Sequence, residues 1–139
     1  GVDVSPLAKV ASGGQLSRIG LAIFTLTSRN TSVPTLIFDE VDSGVGGATG
    51  EVVGRMMKQL GQTRQVLCVT HLPQVAACGD HHLKVEKVSD GIETVSYLRE
   101  LNPTQRVEEI ARMLGGLLIT QKTKVLAEEM VKANLSQEK

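Results

Sequence analysis

The chain has no tryptophan and only three aromatic side chains, Phe24, Phe38 and Tyr97, among its 139 residues. Base-stacking platforms of the kind single-strand nucleic-acid binders use are therefore scarce, and any core must be built from aliphatic side chains. Charge of one sign is lacking too. Fifteen lysines and arginines face fifteen aspartates and glutamates, and the balance holds on either side of Asp80, so no basic stripe marks this segment as a direct nucleic-acid binder. The two cysteines, Cys68 and Cys78, are too few for a disulfide framework and suit a reducing compartment. No secretory leader opens the sequence, and no run of about 18 apolar residues could span a bilayer. These absences lead to the expectation of a cytoplasmic protein with no membrane association.

What is present is enough for a folded domain. The apolar content of 41% argues against disorder, and a chain of this length should bury roughly 70% of its unfolded surface. We expect one domain over residues 1–139, with the tail after about Asn134 frayed. The first residue is Gly1 rather than Met, and a motif-bearing stretch follows at once, which suggests a piece of something longer.

Periodicity organises the chain as α/β. Leu16, Ile19, Ile23 and Leu26 recur at helical spacing over Gln15–Arg29, with Ser12-Gly13-Gly14 just ahead; the pattern predicts a buried helix with a glycine-rich start. Pro34 introduces the apolar run Thr35-Leu36-Ile37-Phe38, which ends in Asp39-Glu40-Val41-Asp42, as a central parallel strand would. Residues 43–50 read as a glycine-rich loop into a helix whose apolar face is Val52, Val53, Met56, Met57 and Leu60. A second strand, Gln65–Thr70, closes on His71, and Pro73 suits the first turn of a following helix. Such a β-α-β-α unit implies parallel strands, with ligands gathering at their C-terminal ends. Alternation over 83–88 and 92–101 around Ser89-Asp90-Gly91 predicts a hairpin, and two helices, Pro103–Leu114 and Ile119–Asn134, complete the chain.

Three of these features carry chemistry. The glycines of Ser12-Gly13-Gly14-Gln15 leave backbone N–H groups uncovered at a helix N-terminus, where the Ser12 hydroxyl and the helix dipole favour an anion such as phosphate; on these four residues alone an ordinary glycine-rich cap is the better explanation. Asp39 and Glu40 follow an uninterrupted apolar run. Consecutive strand side chains face opposite ways, so the two acids must divide their labour: one can hold Mg²⁺, directly or through water, and the other can orient or deprotonate a reacting water. His71, at the tip of the next strand, could donate to a phosphate oxygen near neutral pH, although a lone histidine there is more often structural and gains weight only through its neighbours.

The order of the elements is more specific than any one of them. Ala11-Ser12-Gly13-Gly14-Gln15, then Leu36–Glu40, then Val41-Asp42-Ser43-Gly44, then His71 resembles the second half of an ABC-family nucleotide-binding domain. There these stretches are the signature motif, the Walker B strand with its catalytic glutamate, the D-loop and the switch histidine. Lys9–Arg18, Pro34–Gly44, Val69–Ala76 and Glu109–Gly116 are similar to an SMC-like branch of that family that serves repair and recombination at DNA double-strand breaks. Ala11 stands where transporters usually carry leucine, and Gln15 where the SMC-like branch often has glutamate; neither disturbs phosphate recognition through Ser12 and the backbone. The resemblance implies the C-terminal lobe of a P-loop ATPase head: parallel strands, flanking helices and a terminal β-hairpin. It also implies two heads sandwiching two ATP molecules. Ser12, Gly13, Gly14 and Gln15 of one head would face the γ-phosphate held by the other. Asp39 would coordinate Mg²⁺ through water, Glu40 polarise the attacking water, His71 sense the γ-phosphate, and Asp42 and Ser43 link the two sites. DNA would be engaged through the full-length protein, associated with the nucleoid.

One part of such a head is missing. No Gly-x-x-x-x-Gly-Lys-Ser/Thr loop occurs, and the glycines between Gly44 and Gly50 run into Glu51 rather than lysine. The implied partners are therefore the Walker A half of the same head and a second head in an ATP-dependent homodimer, and the segment alone is expected to be inactive as an ATPase. Two rival readings are a non-catalytic head–head interaction module, against which the intact Glu40 and Ser12-Gly13-Gly14 argue, and a zinc site from Cys68, His71, Cys78, His81 and His82, whose spacing fits no compact knuckle.

Overall fold

In the computed structural model, residues 33–39, 42, 44 and 46–135 are described. The predicted helix over Gln15–Arg29, the Ser12–Gln15 turn, Glu40 and Ser43 lie outside them. The described residues fall into two compact units, one ending at Val75 and the other starting at Ala76.

In the first unit, β1 (Thr35–Asp39) and β2 (Gln65–Val69) pair in parallel, with Leu36 opposite Val66, Phe38 opposite Cys68 and Asp39 opposite Val69. Helix α1 (Gly47–Gly61) is the crossover, and the four-residue α2 (Pro73–Ala76) follows β2. The alternation of a strand explains which side is covered. Leu36, Phe38, Val66 and Cys68 turn to one face and pack on Val53, Met57 and Leu60 of α1 and on Val75. Each such apolar side chain contributes roughly 1.5–3 kcal/mol when fully buried. The other face carries Ile37, Leu67 and Val69, and Ile37 is 72% exposed. Among the described residues, α1 is the helix that packs on this strand pair, and it covers one face.

Helix α1 starts earlier than the glycines suggest, at Gly47 with Gly46 as its cap. Gly50 is buried inside it, and a Cβ there would sit 3.1 Å from Leu72 Cδ1. The missing side chain therefore lets the helix approach the 72–75 segment closely, an advantage that offsets the entropic cost of glycine in a helix.

In the second unit, β3 (Leu83–Ser89) and β4 (Thr94–Glu100) form the predicted antiparallel hairpin. Its connection, Asp90–Glu93, is held by the Asp90 carboxylate, which accepts from Glu93 N (2.8 Å) and Ile92 N (2.9 Å). Those two bonds, Glu93 first, hold its pKa below the usual carboxylate value. Gly91 sits at φ 90°, a backbone state that side chains disfavour. Helix α3 (Pro103–Gly115) begins with a capping box: Asn102 Oδ1 accepts from Gln105 N (2.8 Å) and Gln105 Oε1 from Asn102 N (3.1 Å), with Pro103 in the first turn. It packs on α4 (Gln121–Leu135) through the fully buried Ile110, Ala111 and Ala127, with Ala77 and Val131 completing the cluster. The expected start of α4 at Ile119 moves to Gln121, because Thr120 Oγ1 accepts from Thr123 N (3.2 Å) and so ends the preceding loop.

Candidate functional site

Asp39 is the last residue of β1, and His71 lies two residues past the end of β2. Because the strands are parallel and in register, both acid and imidazole arrive at the same end of the pair, the C-terminal end where open α/β sheets take ligands. Asp39 is exposed. The His71 side chain is 73% exposed.

Asp42 lies differently. Its side chain is 1% exposed, and its Oδ2 accepts from the Thr70 hydroxyl, from His71 N (3.2 Å) and from Leu72 N (3.4 Å). Leu72 N also donates to Thr70 Oγ1 at 3.0 Å. The same carboxylate oxygen is 3.6 Å from His71 Nδ1, within reach of charge attraction when the ring is protonated. An ionised carboxylate out of water is costly unless donors meet it, and here three donors converge. The residue expected to link two sites across an interface therefore has its carboxylate engaged within its own unit, on the segment that carries His71.

Behind the strand ends, Cys68 has its thiol pKa pushed up to about 11, by burial first and then by the charges of Asp42 and Asp39. Such a thiol stays protonated and packs as a small apolar group. Among the described residues no three His, Cys, Asp or Glu side chains gather as a metal-binding group, and no described helix is long and apolar enough to cross a membrane.

The stretch Glu109–Gly116 has a packing role in the second unit. Ile110 and Ala111 are core, Gly116 N closes the helix on Arg112 O at 2.8 Å, and Glu109 binds Lys84 of the hairpin (2.8 Å) and Arg112 (2.5 Å). Burial pushes the Glu109 carboxyl up, but the hydrogen bonds and charges of Arg112 and Lys84 outweigh it and leave the pKa below its ordinary value. Sequence reasoning missed two residues of this framework and one at the site. Arg106 is buried on α3 and donates to the carbonyls of Ala76, Ala77, Gly79 and Asp80; an arginine one turn before Ile110 on the apolar face was the available signal. Lys84 gave no signal beyond strand alternation, and Thr70 none beyond its place at a strand end.

No protein-family profile matches the chain. It is 50% identical over 131 residues to the DNA repair protein RecN of Vibrio cholerae, a match covering 94% of this chain and 24% of that protein. Identity to RecN of Haemophilus influenzae is 51% over 131 residues, covering 94% and 24%. Against RecN of Deinococcus radiodurans it is 51% over 116 residues, covering 84% and 20%. The chain thus spans about a quarter of the length of the curated relatives it matches. A solved SMC ATPase, described in terms of ATP-driven dimerization and DNA-stimulated activation, superposes with a TM-score of 0.61 at 21% identity, covering 85% of this chain and 70% of that one. At that identity the likeness speaks for the fold, which is the α/β fold of an SMC ATPase head.

Proposed function

We propose that this chain, 50–51% identical to RecN proteins over 94% of its length and sharing the fold of an SMC ATPase, forms the C-terminal lobe of a RecN-type SMC-like ATPase head in a DNA repair protein and supplies half of a shared ATP site. The observation that carries this reading is the parallel pairing of β1 with β2, which delivers Asp39 and the His71 segment to one end of the sheet. The α/β framework supports it, and so does the exposed apolar face of Ile37, Leu67 and Val69, a surface the Walker A half of the same head would cover.

In this reading Ser12, Gly13, Gly14 and Gln15 meet the γ-phosphate of ATP held by a second head, while Ser43 lies at the junction of the two sites. Glu40 orients the attacking water and accepts its proton. His71 donates to the γ-phosphate. Asp39, an exposed hard oxygen donor at a strand end, fits Mg²⁺ held through water. When bound, that ion neutralises charge on the β- and γ-phosphates. ATP then joins two heads and hydrolysis releases them, with DNA engaged by the whole protein at the nucleoid.

Two measurements test the proposal. In the full-length protein, Glu40→Gln should cut hydrolysis by roughly 10²–10⁴-fold and accumulate ATP-trapped dimers in light scattering; hydrolysis at the normal rate would remove Glu40 from its role. The 139-residue chain alone should show no turnover, because it holds no Walker A loop. ATPase activity of the purified segment would overturn the shared-site reading.

A further inference from the structure

We propose that Asp42 acts from within its own lobe, as the residue that positions His71 for the γ-phosphate. The inference rests on the reading of His71 given above and adds a residue to it.

The backbone around His71 needs an outside anchor. Strand β2 ends at Val69 and α2 begins at Pro73, so Thr70, His71 and Leu72 lie beyond the strand ladder. Their donors converge on Asp42 Oδ2: the Thr70 hydroxyl, His71 N at 3.2 Å and Leu72 N at 3.4 Å. One carboxylate oxygen thus sets the path of all three residues. It also stands 3.6 Å from His71 Nδ1, which leaves Nε2 as the nitrogen available to a phosphate oxygen. At that distance the carboxylate attracts the Nδ1 side of the ring rather than hydrogen-bonding to it, which biases the ring orientation and so what Nε2 presents. The imidazole itself is 73% exposed while the carboxylate is 1% exposed, so the anchored end of the pair is buried and the working end reaches solvent. The Oδ2 of this enclosed carboxylate is thus taken up within its own lobe.

The test is a double-mutant cycle in the full-length protein. Asp42→Ala should lower kcat roughly 10- to 100-fold, by analogy with the loss of groups that orient metal-ligating histidines. Its KM for ATP should stay within about threefold, as expected when an interaction made in the transition state is lost. Combined with His71→Ala it should cost no more than His71→Ala alone, because residues acting as a unit are non-additive. Asp42→Ala placed on Glu40→Gln should still form ATP-trapped dimers. Losses that multiply in the double variant, or dimers that vanish, would overturn the inference by showing that Asp42 works across the interface. Should Asp42→Ala not fold, Thr70→Val removes one of the three donors; it should lower kcat several-fold with His71 present and not at all in His71→Ala, and unchanged turnover with His71 present would overturn the inference. If His71→Ala alone leaves turnover intact, the reading of His71 fails first, and the two failures are separable.

Discussion

Replacing Arg106 by Met should destabilise the second unit by about 3 kcal/mol, and the figure follows from how its donors are used. Nη2 faces three carbonyls, Ala76 O at 3.2 Å, Ala77 O at 3.1 Å and Gly79 O, but carries only two hydrogens. Two contacts can therefore be of full strength. Nη1 reaches Asp80 O at 3.4 Å, a weak bond. Nε is buried with no acceptor, a standing penalty. Two charge-assisted bonds at about 1.5–3 kcal/mol each, less roughly 1–3 kcal/mol for the orphan donor, leave the stated net. Burial holds the guanidinium pKa below its ordinary value, against the pull of Asp80, in keeping with a cation that is desolvated and not fully compensated. Methionine keeps most of the volume, so the loss measured is that of the bonds. Urea unfolding should show the midpoint about 1–3 M lower, given m-values of about 1–3 kcal/mol/M, and amide exchange should accelerate over residues 76–82. Arg106→Lys should recover less than half, since an ammonium cannot span the same carbonyls. A midpoint unchanged in Arg106→Met would refute the reasoning, by showing that the carbonyls are equally well served by water.

Other consequences are open to measurement. Burial first, then Arg106 and Lys84, hold the His82 pKa below its ordinary 6.5, against the pull of Glu109. The unfolded chain thus binds the proton more readily, so this contribution is complete above 6.5 and is lost as the pH falls through that value toward the folded pKa. Thermal unfolding should fall between about pH 7.5 and about 5.5, and His82→Gln should flatten the change; an unaltered slope would rule the group out. The Cys68 thiol, pushed up to about 11, should react with iodoacetamide roughly 100-fold more slowly in the native chain than in urea, and equal rates would contradict its burial. Asn102→Ala breaks the capping box of α3 and should cost about 1 kcal/mol in urea denaturation, while a loss below about 0.3 kcal/mol would mean the cap is redundant.

Motif order and period were legible in the sequence, and they were enough to give the α/β fold and the resemblance to RecN-type proteins. The run Leu36–Asp39 and the run Gln65–Val69 announce strands by β-rich composition, and the β-α-β spacing makes them parallel, so the gathering of Asp39 and His71 at one sheet end follows from chain order alone. The hairpin and the two last helices were legible through alternation, Asn102-Pro103 and the 3.6-residue spacing of Ile110 and its neighbours.

Tertiary structure decided what a side chain does once it is there. The sequence carries Asp42 as one acid among three near a strand end; only the fold shows that it is enclosed and taken up by Thr70, His71 and Leu72, contacts across nearly thirty residues that no local pattern encodes. The same holds for Arg106 and Lys84, whose partners, a loop of carbonyls and the buried Glu109, are brought against them only by the fold. Periodicity reports which face of an element is apolar, because that depends on neighbours within a few residues. Whether a polar group on that face is solvated or anchored depends on partners that only chain folding brings into reach.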